Sequence, residues 1–168
     1  MGGGRRGARL GVHGNRAARR AVGLEAALVD STTMRITSLE EADGRSAAAN
    51  VAGAAALLVA KLHKLHDRVE TGSLERLNDK DAGDVIRLMQ ASSPVEVGAK
   101  LAALARHELA GLVTSSALGY LDELFGRRGQ EGILMAARAL RLALPEERVQ
   151  ALSIAYTRTL LQTVVDVG

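Results

Sequence analysis

The sequence predicts an α+β chain that is mostly α, with a short β-hairpin followed by a bundle of about six helices. Three observations carry that reading. Apolar residues recur at helical spacing beyond residue 50, as in Ala55, Leu58, Leu62, Leu65 and Val69. The apolar supply is Ala, Leu and Val, with aromatics limited to Tyr120, Phe125 and Tyr156, so the core is aliphatic side chains on close-packed helices. Strand character, β-branched and alternating, is confined to residues 24–39.

Taken in order, residues 1–21 form a Gly- and Arg-rich arm expected to be disordered, residues 22–49 a β-hairpin and linker, and residues 50–168 the helical bundle. The hairpin strands are expected at 24–29 and 33–39, joined by Asp30-Ser31-Thr32, which suits a turn. A lone hairpin is only marginally stable in water, so this one needs cover from the helices or from further strands. Residues 40–50 are small and polar, a linker by composition. A first long helix then runs from about residue 51 to 70 and breaks at Thr71-Gly72-Ser73.

Asn78 stands where the next helix needs a cap, with Asp79 and Asp81 in the first turn, where exposed amides and the helix dipole favour carboxylates. Pro94, after Ser92-Ser93, opens a third helix. Thr114 or Ser115 caps a fourth, which Gly126 stops. A fifth spans about 130–144, and the sixth opens at Pro145-Glu146-Glu147 and continues to about 165.

The chain has a net charge of +3 and no cysteine, which excludes a disulfide framework and a thiolate metal site. Four histidines offer little to a zinc site, and a reducing, cytoplasmic setting is the default. Arg5, Arg6, Arg9, Arg16, Arg19 and Arg20 give the first twenty residues six positive charges and no negative one. Such an arm is either a solvated tail or a contact to nucleic acid through phosphate attraction. It lacks the apolar core of a secretory signal, and no segment reads as a membrane span. Phosphate-loop, serine-elbow and paired-histidine zinc motifs do not occur.

The stretch of 57–88 does point to a chemistry. Lys61, Lys64 and Arg68, at spacings of three, four and seven, share one helical face. Lys80, Asp81, Asp84 and Arg87 open the following helix. A short connection between antiparallel helices brings the two faces together as a small, charged, partly desolvated site for an anion or nucleotide. Each residue also has a plainer reading. Lys61 can lie along the core edge with its ammonium in water, Asp81 can pair with Asn78 at the helix start, and Asp84 can pair with Lys80 or Arg87. His63 and Asp67, four apart, make a surface hydrogen bond or two ligands of an incomplete metal site.

The block VAGAAALLVAKLHKLHDR followed by NDKDAGDVIRLMQA resembles the C-terminal half of nucleotidyltransferase-like proteins of the abortive-infection AbiEii type, within the polymerase-β-like superfamily. The matching pieces are K-x-x-K-x-x-x-R (Lys61, Lys64, Arg68) and K-D-x-x-D (Lys80, Asp81, Asp84). The resemblance covers roughly residues 11–93 and implies that the hairpin is a remnant of the family's sheet. It further implies catalytic roles for Lys61, Asp81 and Asp84, and contacts from Lys61, Lys64, Arg68 and Lys80 to a nucleoside triphosphate. Mg2+ is implied for the complete family enzyme, whose Gly-Ser unit and paired carboxylates are not found in this sequence; Asp79-Lys80-Asp81 follows Gly72-Ser73 too closely and opens a helix. The chain as it stands is therefore expected to hold no metal and to be a truncated, catalytically incomplete portion that retains phosphate binding. The alternative is a non-catalytic helical interaction module, acting through the Leu and Ala faces of the last three helices on an antitoxin protein or a second copy.

Overall fold

The computed structural model describes residues 7–8, 18–19, 21–72 and 79–168. Its elements are β1 (Gly7–Ala8), β2 (Ala18–Arg19), α1 (Glu25–Val29), β3 (Ser31–Thr37), β4 (Ser46–Ala52), α2 (Ala54–Glu70), α3 (Asp79–Ala91), α4 (Pro94–Ala105), α5 (Gly111–Phe125), α6 (Glu131–Leu140) and α7 (Glu146–Val167). The expected α+β, mostly helical class is what the chain adopts, and six helices follow the hairpin. The disorder expected of the arm falls largely outside the described residues; within them, β1 pairs antiparallel with β2. The cap expected at Asn78 also lies outside them.

The hairpin is built from a different pair of segments than the sequence predicts. Residues 25–29 form α1 instead of a strand, and Glu25 accepts the Gly23 amide at 2.8 Å just ahead of its own helix. Leu-Glu-Ala-Ala-Leu-Val fits one helical turn as well as a short strand, and burial of Ala26 decides for the helix. The partner of β3 is β4, which lies mostly in the expected linker and runs two residues into the expected start of α2. Ser-Ala-Ala-Ala-Asn-Val-Ala has almost no intrinsic strand preference, so its extended state comes from pairing with β3.

The ladder runs from Ser31↔Ala52 to Thr37↔Ser46 without a bulge. Directly opposed residues share a face. Thr33 donates to Asn50 at 2.8 Å and Arg35 to Ser46 at 2.9 Å on one side. Thr32, Met34 and Ile36 stand opposite Val51, Ala49 and Ala47 on the other.

Asp30 joins this hairpin to the bundle. Its Oδ2 accepts the Ala56 amide at 3.1 Å, supplying from α1 the side-chain cap that Gly53 cannot give to α2. Its Oδ1 accepts from Lys100 of α4 at 3.0 Å, and its backbone carbonyl accepts from Gly53 at 2.9 Å. A Cβ at Gly53 would collide with the Asp30 carboxylate, so the position needs glycine.

Helices α4 and α7 start where the sequence places them. Ser93 caps α4 by accepting the Glu96 amide, with Pro94 in the first turn, and Pro145 stands at the cap of α7. Helix α5 begins at Gly111, a turn before the expected caps, and Thr114 is fully buried inside it. Helix α6 ends at Leu140, and the expected last turn to 144 is a tight turn closed by Ala143 donating to Leu140 at 2.7 Å.

One aliphatic core runs through the bundle, around Leu62, Leu65, Ile86, Leu121, Phe125 and Leu160. Helices α4 and α7 cross closely at Gly98, where a Cβ would stand 2.8 Å from the Leu160 carbonyl oxygen. Helix α3 lies between α2 and α6, which brings its acidic first turns against the basic face of α2. Among the described residues, no helix is long and apolar enough to cross a membrane.

Candidate functional site

The two charged faces do meet. Lys61, Lys64 and Arg68 project from α2 onto the first turns of α3, where Asp81 is buried although it is ionisable. The Lys61 ammonium donates to Oδ1 of Asp81 and to Oδ2 of Asp84, both at 2.8 Å. Lys64 reaches Oδ2 of Asp81 at 2.8 Å and Oδ1 at 3.0 Å, and Arg68 closes a short ion pair to Oδ2. Arg87 donates to the remaining oxygen of Asp84 at 2.8 Å. Four cations thus surround two carboxylates, leaving the cluster with two positive charges in excess.

The six side chains come from the two charged clusters the sequence sets on consecutive helices, Lys61, Lys64 and Arg68 on the first and Asp81, Asp84 and Arg87 on the second. Lys80 is different: it is exposed on the first turn of α3 and takes no part in the cluster. The pairing of Asp81 and Asp84 is across the helices, with only Arg87 coming from α3 itself.

Burial opposes the charges at this site and the pairing outweighs it. Desolvation works against the Lys61 ammonium, but hydrogen bonds and attraction from Asp81 and Asp84 hold its pKa above the ordinary lysine value. Desolvation likewise works against the Asp81 carboxylate, and Lys61 and Lys64 bring its pKa below the usual carboxylate range. Asp84 follows the same pattern with Lys61 and Arg87. Lys61, Asp81 and Asp84 are therefore all charged near neutrality.

The donor set does not fit Mg2+. Both carboxylates are filled by ammonium and guanidinium groups, and among the described residues no group of three or more His, Cys, Asp or Glu side chains is arranged to hold a metal. His63 is turned to α5, its Nε2 2.8 Å from the Val113 carbonyl oxygen. His66 stacks on Tyr120 with ring centroids 3.7 Å apart, and its Nε2 lies 3.9 Å from Glu123. The Glu25 carboxylate is spent on the Gly23 amide.

Much of the Leu and Ala faces of the last three helices forms the core, while Leu112 of α5 and Val165 of α7 stand exposed. Leu121, Leu124, Ile133, Ala136 and Leu160 are all buried. The hairpin offers a further surface: Met34 and Ile36 are 52% and 56% exposed, and both faces of β3 lie open along its whole length. Sequence reasoning missed this surface because it sought the partner of β3 upstream. The alternation of Thr32, Met34 and Ile36 with Thr33, Arg35 and Thr37 was its signal. The basic arm, and with it any contact to nucleic acid, lies largely outside the described residues. No family model matches the chain, and no curated protein or solved structure matches it.

Proposed function

We propose that the chain is a non-catalytic helical interaction module whose recognition element is the β3–β4 hairpin. The observation that carries this reading is the uncharged apolar face of Met34, Ile36, Ala47, Ala49 and Val51, on which Met34, Ile36, Ala47 and Val51 are exposed and Ala49 is half-buried. A two-stranded ribbon has little stability of its own in water, so an apolar face on one is stabilised by whatever covers it. The bundle serves as its rigid base, through Asp30. The test compares the intact protein with Met34→Asp/Ile36→Asp as immobilised bait against extract of the source cells. Loss of the retained proteins with the variant is expected; retention of the same proteins by both removes the hairpin from the function.

A second reading follows from the excess charge of the cluster: contact with a phosphate group, as the resemblance to nucleotidyltransferases implies. Lys61 is already shared between two carboxylates, so the cations left to reach a phosphate are Lys64 and Arg87, whose side chains are 51% and 57% exposed. Titration with a nucleoside triphosphate at low salt tests it. Weak binding lost in Lys64→Ala/Arg87→Ala is expected, and unchanged binding in that variant removes the cluster as the site.

A further inference from the structure

We infer that the groove between the C-terminal end of α5 and the second half of α7 binds a free α-amino acid with an aliphatic side chain. The inference stands on the bundle alone and is independent of the hairpin.

The groove has a volume of about 300 Å³, at the small end of the range for small-molecule sites. Helix α7 gives it Thr157, Leu161 and Val165, which at spacings of four form one row along the helix, with Arg158 beside the first of them. The end of α5 gives it Asp122 and Gly126. Ser153, one turn before Thr157, donates to the Phe125 carbonyl at 3.1 Å, so Thr157 and Arg158 lie at the end of the groove next to Gly126. The Asp122 carboxylate is folded back to the same place, where a Cβ on Gly126 would stand 2.6 Å from its Oδ1. One end of the groove is therefore polar, and the apolar row runs from it for about 12 Å to Val165.

Three groups at the polar end lack partners. Among the described residues, the Asp122 carboxylate and the Arg158 guanidinium make no hydrogen bond or ion pair, with each other or with a neighbour. Thr157 is 1% exposed and its hydroxyl has no hydrogen-bond partner. A helical threonine has the carbonyl four residues back within reach, and Thr163 of the same helix uses it, donating to Thr159 at 2.9 Å. A hydroxyl closed off from water without a partner is rare in a folded protein and marks a missing ligand or water.

Charge and shape together select the ligand class. A ligand carboxylate matches Arg158 and the Thr157 hydroxyl. An ammonium matches Asp122 and the negative, carbonyl-bearing end of α5. A branched aliphatic tail covers Leu161 and Val165. A free α-amino acid carries all three groups on one carbon, whereas a carboxylic acid leaves Asp122 unmatched and an amine leaves Arg158 unmatched. Asp122 and Arg158 are exposed, so each ionic contact is weak and a Kd of roughly 0.1–1 mM is expected.

The experiment is titration of the isotope-labelled full chain with L-leucine, followed by amide NMR. Saturable shifts centred on Gly126, Thr157 and Arg158 are expected, and glycine, isocaproate and leucinamide, each lacking one of the three groups, should bind at least about fivefold more weakly. Arg158→Gln and Asp122→Asn stand at exposed positions and should leave the rest of the amide spectrum unchanged while weakening leucine binding by about tenfold. Thr157→Val keeps the shape and removes the unmatched hydroxyl, so it should raise the unfolding temperature and weaken leucine binding together, a pairing that a purely structural threonine does not give. Absence of saturable shifts up to about 20 mM leucine, or shifts centred elsewhere, overturns the site. Leucine affinity equal to the parent's in all three variants does the same, and isocaproate or leucinamide binding as tightly as leucine overturns the amino acid as its ligand.

Discussion

The Lys61 ammonium and the Asp81 carboxylate, on consecutive helices, meet at 2.8 Å at the edge of the bundle core, with Asp81 almost wholly withdrawn from water. A buried carboxylate that serves three cations is a point where removal costs more than the pair itself contributes, because its partners are left unmatched. Asp81→Asn should destabilise the fold by about 2–4 kcal/mol, the lower part of that range reflecting cations that can still turn to water. Lys64→Ala, with its ammonium half in water already, should cost under about 1 kcal/mol. Denaturant unfolding of the two variants beside the parent protein checks both.

The same cluster gives stability a defined pH dependence. Asp81 and Asp84 titrate below their unfolded-state values, so their contribution is present above about pH 4 and is lost as pH falls through the folded pKa values. Lys61 titrates above its unfolded value, so its contribution is complete below about pH 10 and is lost as pH rises through the folded pKa. The difference in Tm between the parent and Asp81→Asn should therefore be flat from about pH 5 to 9 and shrink towards acid. A difference that grows as pH falls below 4 would contradict the assignment of the cluster as ion-paired.

Much of this site was legible because its information is local. Spacings of three, four and seven put Lys61, Lys64 and Arg68 on one face whatever the rest of the chain does, and the acidic opening of α3 is read from five consecutive residues. Ser93-Pro94 and Pro145-Glu146 mark helix starts by cap chemistry, again within a few residues. The hairpin was not legible in the same way. Its second strand is alanine-rich and extended only because a register with β3 exists, and a cap-like Thr114 is buried instead because α5 starts a turn earlier. Asp30 reads as a turn residue from its neighbours, yet its role is set by an amide 26 residues away.

That role predicts a substitution effect of its own. In Asp30→Ala, α2 loses the carboxylate that accepts the Ala56 amide and α4 loses the partner of Lys100. Loss of a helix cap costs about 1 kcal/mol, and up to about 2 where the amide stays partly buried. Asp30→Asn keeps an acceptor for the amide and should recover part of the loss. Thermal unfolding of both variants measures the cap, and protection of the α2 amides from hydrogen exchange locates it.

Packing of α4 on α7 makes the sharpest demand on a single atom. At Gly98 an added Cβ would sit 2.8 Å from the Leu160 carbonyl oxygen and 2.9 Å from the Thr163 Cβ, and neither can yield without moving the α7 backbone. Gly98→Ala brings about 1 kcal/mol of intrinsic helix preference in its favour, the usual gain for replacing a helical glycine. Overpacking against backbone typically costs about 1–3 kcal/mol, so steric cost should win and the variant should be destabilised overall. Gly119 lies in α5 with open space around it, and Gly119→Ala there should be neutral or stabilising by up to about 1 kcal/mol. Because the two substitutions have the same helix-preference term, the difference between their unfolding free energies isolates the closeness of the α4–α7 crossing. Equal effects at the two positions would show that the helices separate to accept the methyl group.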